Sequence, residues 1–302
     1  MTTAKMHADE LAIDAELVSK LVAAQFPAWA SLTISPVPSA GTDNKLFRLG
    51  DRMVVRLPKI LWAVDYIIKE FDWLTAHGAI LPLVTPTPMA MGVANEDFPW
   101  AWAIYGWING TNPTAESLTD WNEVANQLAQ FVVAMGSIEA PSGVATNRGV
   151  ALRQRHKFVQ YSLDKLDGIV DVQAARQLWN FSLEIPQWNG GNAWVHGDIK
   201  AGNLLESNGA ISAVIDFGCL SLGDPACDLI VAWNMLPISA RNTFRLATGV
   251  DDATWLRGRG WALSIALIEI PYYLHTNAAM IAEALYVISQ ILDDFRQNSA
   301  PV

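Results

Sequence analysis

The chain has 302 residues, enough for two lobes that each bury a core. Hydrophobic residues make up 51% and charged residues only 17%, which excludes an intrinsically disordered chain. The formal net charge of −10 argues against a nucleic-acid partner, whose phosphates it would repel, and favours a cationic one.

The opening Met1-Thr2-Thr3-Ala4-Lys5-Met6-His7-Ala8-Asp9-Glu10 carries no apolar export signal, so a cytoplasmic location is expected. No membrane association is expected either, because the most apolar stretch, 261–274, is interrupted by Glu269 and Pro271 and is too short to span a bilayer. Cys219 and Cys227 fit no metal-ligand spacing and are expected to be reduced and free.

In chain order, Leu17, Val18, Leu21 and Val22 predict a helix over 13–26. Strand-like runs follow at 32–37, 45–49 and 53–57, the last two joined by a turn at Gly50-Asp51. Val64, Ile67, Ile68, Phe71 and Leu74 predict a helix over 64–76, and Pro82, Pro86 and Pro88 punctuate the exit from it. One more buried strand is expected at 100–108, interrupted at Gly106. Beyond Gly110 the pattern turns helical, over 118–138, 152–166 and 172–183. Two short apolar strands stand around Val195 and Val214, and the rest is helical with breaks near Pro237, Gly249 and Pro271. A β-rich first third and a helix-rich remainder predict unequal lobes, 1–106 and 107–302, with a cleft between them.

The chemistry concentrates in His196-Gly197-Asp198-Ile199-Lys200-Ala201-Gly202-Asn203 and in Ile215-Asp216-Phe217-Gly218. An aspartate past one strand, an asparagine five residues on and a second aspartate past another strand are what phosphoryl transfer requires. Asp198 is the candidate base that orients an acceptor hydroxyl, and Asn203 and Asp216 are candidate Mg²⁺ ligands. Lys200 could meet charge on the transferred group, or be an ordinary solvated lysine. His196 is expected to anchor the loop. Upstream, Arg56 stands on the third strand where the kinase signature has lysine, and Glu70 on the next helix is its candidate partner. Gly41, Thr42 and Asn44 form a loop that could cover phosphates. Tyr105 and Trp107 either border an adenine site or serve as core.

In this order the elements closely resemble the aminoglycoside phosphotransferase family of small-molecule kinases, over about 39–273. The most specific carriers are His196-Gly197-Asp198, Asn203, Ile215-Asp216-Phe217 and Gly223-Asp224-Pro225-Ala226-Cys227-Asp228. The resemblance implies an α+β, two-lobed protein-kinase-like fold with a small β-rich N-lobe and a larger, mainly helical C-lobe. It implies ATP or GTP as donor, Mg²⁺, Asp198 as base, and Asn203 and Asp216 as metal ligands. Only Cys219 to Leu222 separate Asp-Phe-Gly from Gly223-Asp224-Pro225, which leaves no room for an activation segment and argues against a protein kinase. Asp224 and Asp228 are expected to brace the loop.

The expected acceptor is a small molecule, cationic by the charge argument, with aminoglycoside-type antibiotics first. A macrolide, a housekeeping metabolite, or silent nucleotide binding without turnover are the alternatives. The acceptor pocket is expected from the segments 148–161 and 261–277, with Glu269 a candidate carboxylate. No protein partner is implied.

Overall fold

The computed structural model describes residues 10–38, 43–143 and 147–298. Helix α1 (Ala15–Gln25) starts at Asp14, whose carboxylate accepts from the Leu17 N–H and so satisfies one of the free donors of the first turn. Strands β1 (Ile34–Pro36), β2 (Asn44–Leu49) and β3 (Met53–Pro58) lead to helix α2 (Ala63–His77), and β4 (Pro88–Gly92) and β5 (Trp102–Gly106) complete an antiparallel sheet in the order β1-β2-β3-β5-β4.

Side chains alternate across a strand, and the sheet uses both faces. Val55, Leu57, Trp102 and Ile104 pack with Val18, Leu21 and Val22 of α1 in one apolar cluster. On the other face Ala103 and Tyr105 meet Ile67, Trp73 and Leu74 of α2, and that face is continuous with the core of the helical part. Arg56 lies opposite Leu46 and Ala103 in the ladder, so it projects to this second face.

The larger part holds α3 (Trp121–Ser137), α4 (Leu152–Leu163) and α5 (Val172–Glu184). Strands β6 (Ala193–Val195), β7 (Leu204–Ser207), β8 (Ala210–Val214) and β9 (Ser221–Gly223) pair as β6 with β9 and β7 with β8. Helices α6 (Val231–Asn234), α7 (Ile238–Thr248), α8 (Asp252–Tyr273) and α9 (Ala278–Asn298) follow. Aspartates again begin helices: Asp120 caps α3, Asp171 caps α5 and Asp251 caps α8.

Two details depart from the sequence expectation. β4 falls within the proline-rich stretch, which its edge position permits because an edge strand tolerates a missing N–H. Pro271 does not break α8; it sits in the final turn and the helix ends at Tyr273, so only the bond to the Leu267 carbonyl is forgone. The two parts of the chain also touch away from the 106–110 crossing, where the Val84 N–H donates to the Ser212 carbonyl and the Val214 N–H to the Val84 carbonyl.

Candidate active site

The loop after β8 brings one carboxylate back to the sheet. Asp216 adopts φ 61°, ψ 71°, a left-handed conformation that aspartate tolerates better than most residues. Its Oδ1 accepts from Arg56 Nη2 at 2.6 Å and from the Gly218 N–H at 3.3 Å. Arg56 in turn donates from Nη1 to both Glu70 oxygens at 2.8 Å. One guanidinium thus ties β3, α2 and the Asp216 loop together, a double engagement that its fork of donors allows and a single ammonium does less well. Burial works against the Arg56 charge, but Asp216 and Glu70 outweigh it and hold the guanidinium firmly protonated. Burial likewise raises the Glu70 carboxyl above the ordinary range against the pull of Arg56. At Asp216 burial opposes ionisation, and Arg56 prevails, keeping this carboxyl below its usual value. Lys69, beside Glu70, donates to the Leu220 carbonyl and draws α2 toward the same loop.

Phe217, next to Asp216, is fully buried. It stacks on Trp73 of α2 at 5.6 Å between centroids and lies 4.6 Å from the His196 ring. This apolar column aligns the two loops that carry the carboxylates.

The loop after β6 is held from beneath. Asp228 accepts from the His196 and Gly197 N–H groups, each at 2.7 Å. His196 Nδ1 accepts from the Asp198 N–H at 3.3 Å, so the proton resides on Nε2, which donates to the Ile215 carbonyl at 3.2 Å. His196 therefore ties the two loops together. Asp224 forms a buried ion pair with Arg257, 2.7 Å from Nε to Oδ2, and its Oδ1 accepts from the Ala226 N–H.

Above this support stands Asp198. Asn203 Nδ2 donates to its Oδ2 at 2.8 Å and to its carbonyl at 2.9 Å, which commits the Asn203 nitrogen and leaves the Asn203 amide oxygen for another role. Lys200 Nζ lies 3.5 Å from Asp198 Oδ2, and Asp198, above all, raises the Lys200 ammonium above its usual value despite burial.

Asp198 and Lys200 open onto a cavity of about 340 Å³ between α6, α8 and α9. Glu269, Glu283, Asn234 and Tyr286 supply its polar side, and Ala262, Ile265, Ala266 and Val287 its apolar side. Burial raises the Glu269 carboxyl, and Lys200 opposes it. Among the described residues neither Glu269 nor Glu283 has a cationic side chain within ion-pair distance.

Of the residues singled out from sequence, Asp198, Lys200 and Asn203 converge on one loop, and Arg56, Glu70 and Asp216 on one charge chain. Asn44 joins the latter, since its amide oxygen, turned toward Arg56, accepts from Nη2 at 2.9 Å. Tyr105 is a core residue, 2% exposed, packed on Phe71 with its hydroxyl toward Glu70. Trp107 is half-buried, its ring 3.8 Å beneath the Arg48 guanidinium and its Nε1 donating to Asn109. Gly41 and Thr42 lie outside the described residues. The sequence reading missed Glu283 and Tyr286, which reach the cavity only because α9 folds back along α8.

Residues 33–261 match the model of the phosphotransferase enzyme family, and the chain belongs to that family. It is accordingly a phosphotransferase by family. The solved GDP complex of an aminoglycoside 2'-phosphotransferase-IIIa superposes with a TM-score of 0.74 at 15% identity, covering 94% of this chain and 100% of that one. An ADP-bound aminoglycoside phosphotransferase APH(2'')-Ib gives 0.63 at 18% identity, over 93% and 97%. The macrolide 2'-phosphotransferase MphH from Brachybacterium faecium gives 0.62 at 18% identity, over 91% and 97%. At these identities the likeness establishes the two-lobed kinase-like fold. No curated protein sequence matches the chain. Among the described residues no helix is long and apolar enough to cross a membrane.

Proposed function

We propose that the chain transfers the γ-phosphoryl group of ATP or GTP to a hydroxyl of an amine-bearing small molecule, with aminoglycoside-type antibiotics the first acceptors to try. The observation that carries this reading is the cavity beside Asp198, where Glu269 and Glu283 offer carboxylates that, among the described residues, no cation meets within ion-pair distance, Lys200 lying instead against Asp198. An acceptor that brings its own ammonium groups would complete that wall. The Arg56 charge chain and solved relatives bound to GDP, ADP and ATP support a nucleotide donor. The lobe boundary at 106/107 belongs to this proposal, with 1–106 covering the nucleotide and 107–302 holding the acceptor.

The residues present suit Mg²⁺, because the Asn203 amide oxygen and the Asp216 carboxylate are hard ligands. Among the described residues no group of three or more His, Cys, Asp or Glu could hold a metal ion. Bound there, the ion would neutralise charge on the nucleotide phosphates. Arg56 would clasp the inner phosphates from the sheet side. Asn203 commits Asp198 Oδ2, so Oδ1 is the oxygen free to accept the hydroxyl proton. The acceptor oxygen then bonds to the γ-phosphorus, the bond to the bridging oxygen breaks, and the nucleoside diphosphate leaves. Lys200, 3.5 Å from Asp198 Oδ2, would meet charge on the transferred group.

A second reading, a macrolide-type acceptor, draws on the apolar side of the same cavity and on the likeness to MphH. The test is a panel of aminoglycosides, macrolides, amino alcohols and neutral sugars, followed by nucleoside diphosphate release. Turnover of an amine-bearing compound supports the reading. A neutral compound turned over best would move it to a metabolite, and magnesium-nucleotide binding without any turnover would make the chain a silent member of its family.

A further inference from the structure

The geometry points to Arg148 as a positioning residue for phosphoryl transfer, acting from outside the catalytic loop on the free oxygen of Asp198. This inference rests on the reading of Asp198 as base.

Arg148 Nη2 lies 3.7 Å from Asp198 Oδ1, with the two side chains 13% and 19% exposed. Asp198 Oδ2 is committed to Asn203 at 2.8 Å and faces Lys200 at 3.5 Å. Oδ1 has Arg148 as its cation, near enough to orient the carboxylate by charge and too far to spend its lone pairs on a hydrogen bond. The two cations therefore divide the carboxylate, one at each oxygen, and the hydroxyl-facing oxygen is the one left without a close donor.

The loop sequence is built around this arginine. Gly197 precedes Asp198 with φ 81°, and a Cβ there would come within 2.7 Å of Arg148 Cγ and 2.7 Å of the Cys219 carbonyl. A side chain at 197 would collide with the Arg148 stem and the Cys219 carbonyl in their present places. The segment bearing Arg148 is pinned by the Asp224 N–H, which donates to the Gly149 carbonyl at 2.8 Å, and Asp224 is itself fixed by Arg257. Arg148 is thus anchored through the same turn that begins the Asp228 support of the loop. Its Nε makes no hydrogen bond, and the Cys219 thiol lies beside the guanidinium. The remaining charged or titratable neighbours are Cys219, Cys227 and Glu269, and the nearby Arg155 is engaged elsewhere by Ser264 at 2.8 Å and by the Trp261 ring.

The experiment measures kcat, acceptor KM and magnesium-nucleotide Kd for Arg148→Met, which keeps the stem and removes the charge, in wild-type and Asp198→Asn backgrounds. The expected result is a kcat lower by about tenfold or more, nucleotide Kd unchanged, and less than about a twofold further loss once Asp198 is Asn, because the two residues act as one unit. Arg148→Ala should regain kcat when guanidinium ion is added, and Arg148→Lys should retain more activity than Arg148→Met. An equal loss in both backgrounds, with no guanidinium rescue, would assign Arg148 to packing alone and overturn the inference, as would wild-type kcat for Arg148→Met. If Asp198→Asn itself turns over as wild type does, the reading of the base fails instead, and the two failures are distinguished.

Discussion

The two ends of the cleft are built on opposite electrostatic principles. At the sheet end Glu70, Arg56 and Asp216 form a closed chain within 2.8 Å contacts, and Asn44 adds a further acceptor. At the helical end Glu269 and Glu283 face a cavity with Lys200 and Asp198 at its floor, and among the described residues neither stands within ion-pair distance of a cation. The first arrangement holds a buried cation in place with partners on three separate elements, so little must reorganise when phosphates arrive. The second leaves a surplus of negative charge that a neutral core would not tolerate and that a cationic ligand would satisfy. A net charge of −10 is therefore not spread evenly in its consequences: at the sheet end Arg56 engages both carboxylates directly, and at the helical end no cation among the described residues pairs with Glu269 or Glu283.

The junction between the ends should be the most sensitive point. Asp198→Asn keeps the shape of the carboxylate and removes its charge and basicity, and turnover should fall by roughly 10²–10⁴ while magnesium-nucleotide binding changes little. Steady-state kinetics beside a nucleotide titration measures both, and turnover within a few-fold of wild type would remove Asp198 from the role of base. Next comes the sheet end. Asp216→Ala deletes the charged ligand of the proposed pair and should weaken magnesium-nucleotide binding by on the order of a hundredfold, with Asn203→Ala costing less. Calorimetric titration with and without magnesium checks this, and a wild-type isotherm for Asp216→Ala would refute the assignment.

The sheet end was also the more legible in sequence. Arg56 and Glu70 could be paired on paper because the kinase signature pairs a third-strand cation with a glutamate on the next helix, and Asp216 follows an apolar strand at a motif spacing. Asp228 and Asp224, expected to brace the loop, do so through backbone N–H groups and Arg257. What stayed hidden depends on long-range packing. Arg148 heads the segment 148–161 that the sequence places at the acceptor pocket, but its approach to Asp198 depends on that segment docking on the Gly223-Asp224 turn. Glu283 arrives on a helix whose amphipathic pattern tells which face is buried, and not which neighbour lies beyond its rim. β4 escaped because prolines read as loop, and edge strands are where that rule relaxes. The left-handed backbone of Asp216 has no signature at all in a residue type that adopts ordinary conformations elsewhere.

A smaller effect would show whether the sheet end needs its arginine. Arg56→Lys keeps the charge and supplies one ammonium where a fork now serves Glu70 and Asp216 together. Nucleotide affinity should fall by about tenfold, more than the loss expected from a charge-conserving change at an exposed site. Equal affinity for both forms would mean that charge alone matters there and that the double engagement is incidental.

The mildest test concerns the uncompensated end. Glu269→Gln and Glu283→Gln should each raise the KM of an amine-bearing acceptor by about three- to tenfold and leave kcat nearly unchanged, since they act on a ground-state attraction retained through the reaction. Salt should have the same sign of effect, because charges beyond about 10 Å are screened at 0.1 M ionic strength. So should acid. Burial raises the Glu269 carboxyl, so this group takes up its proton at a higher pH than an ordinary glutamate, and its attraction for an ammonium is lost as pH falls through that raised value. Acceptor KM should therefore climb on the acid side in the wild type and climb less in Glu269→Gln. A KM indifferent to salt, to pH and to both substitutions would mean that the carboxylates do not face the acceptor, and the contrast between the two ends would then describe the free protein without describing its specificity.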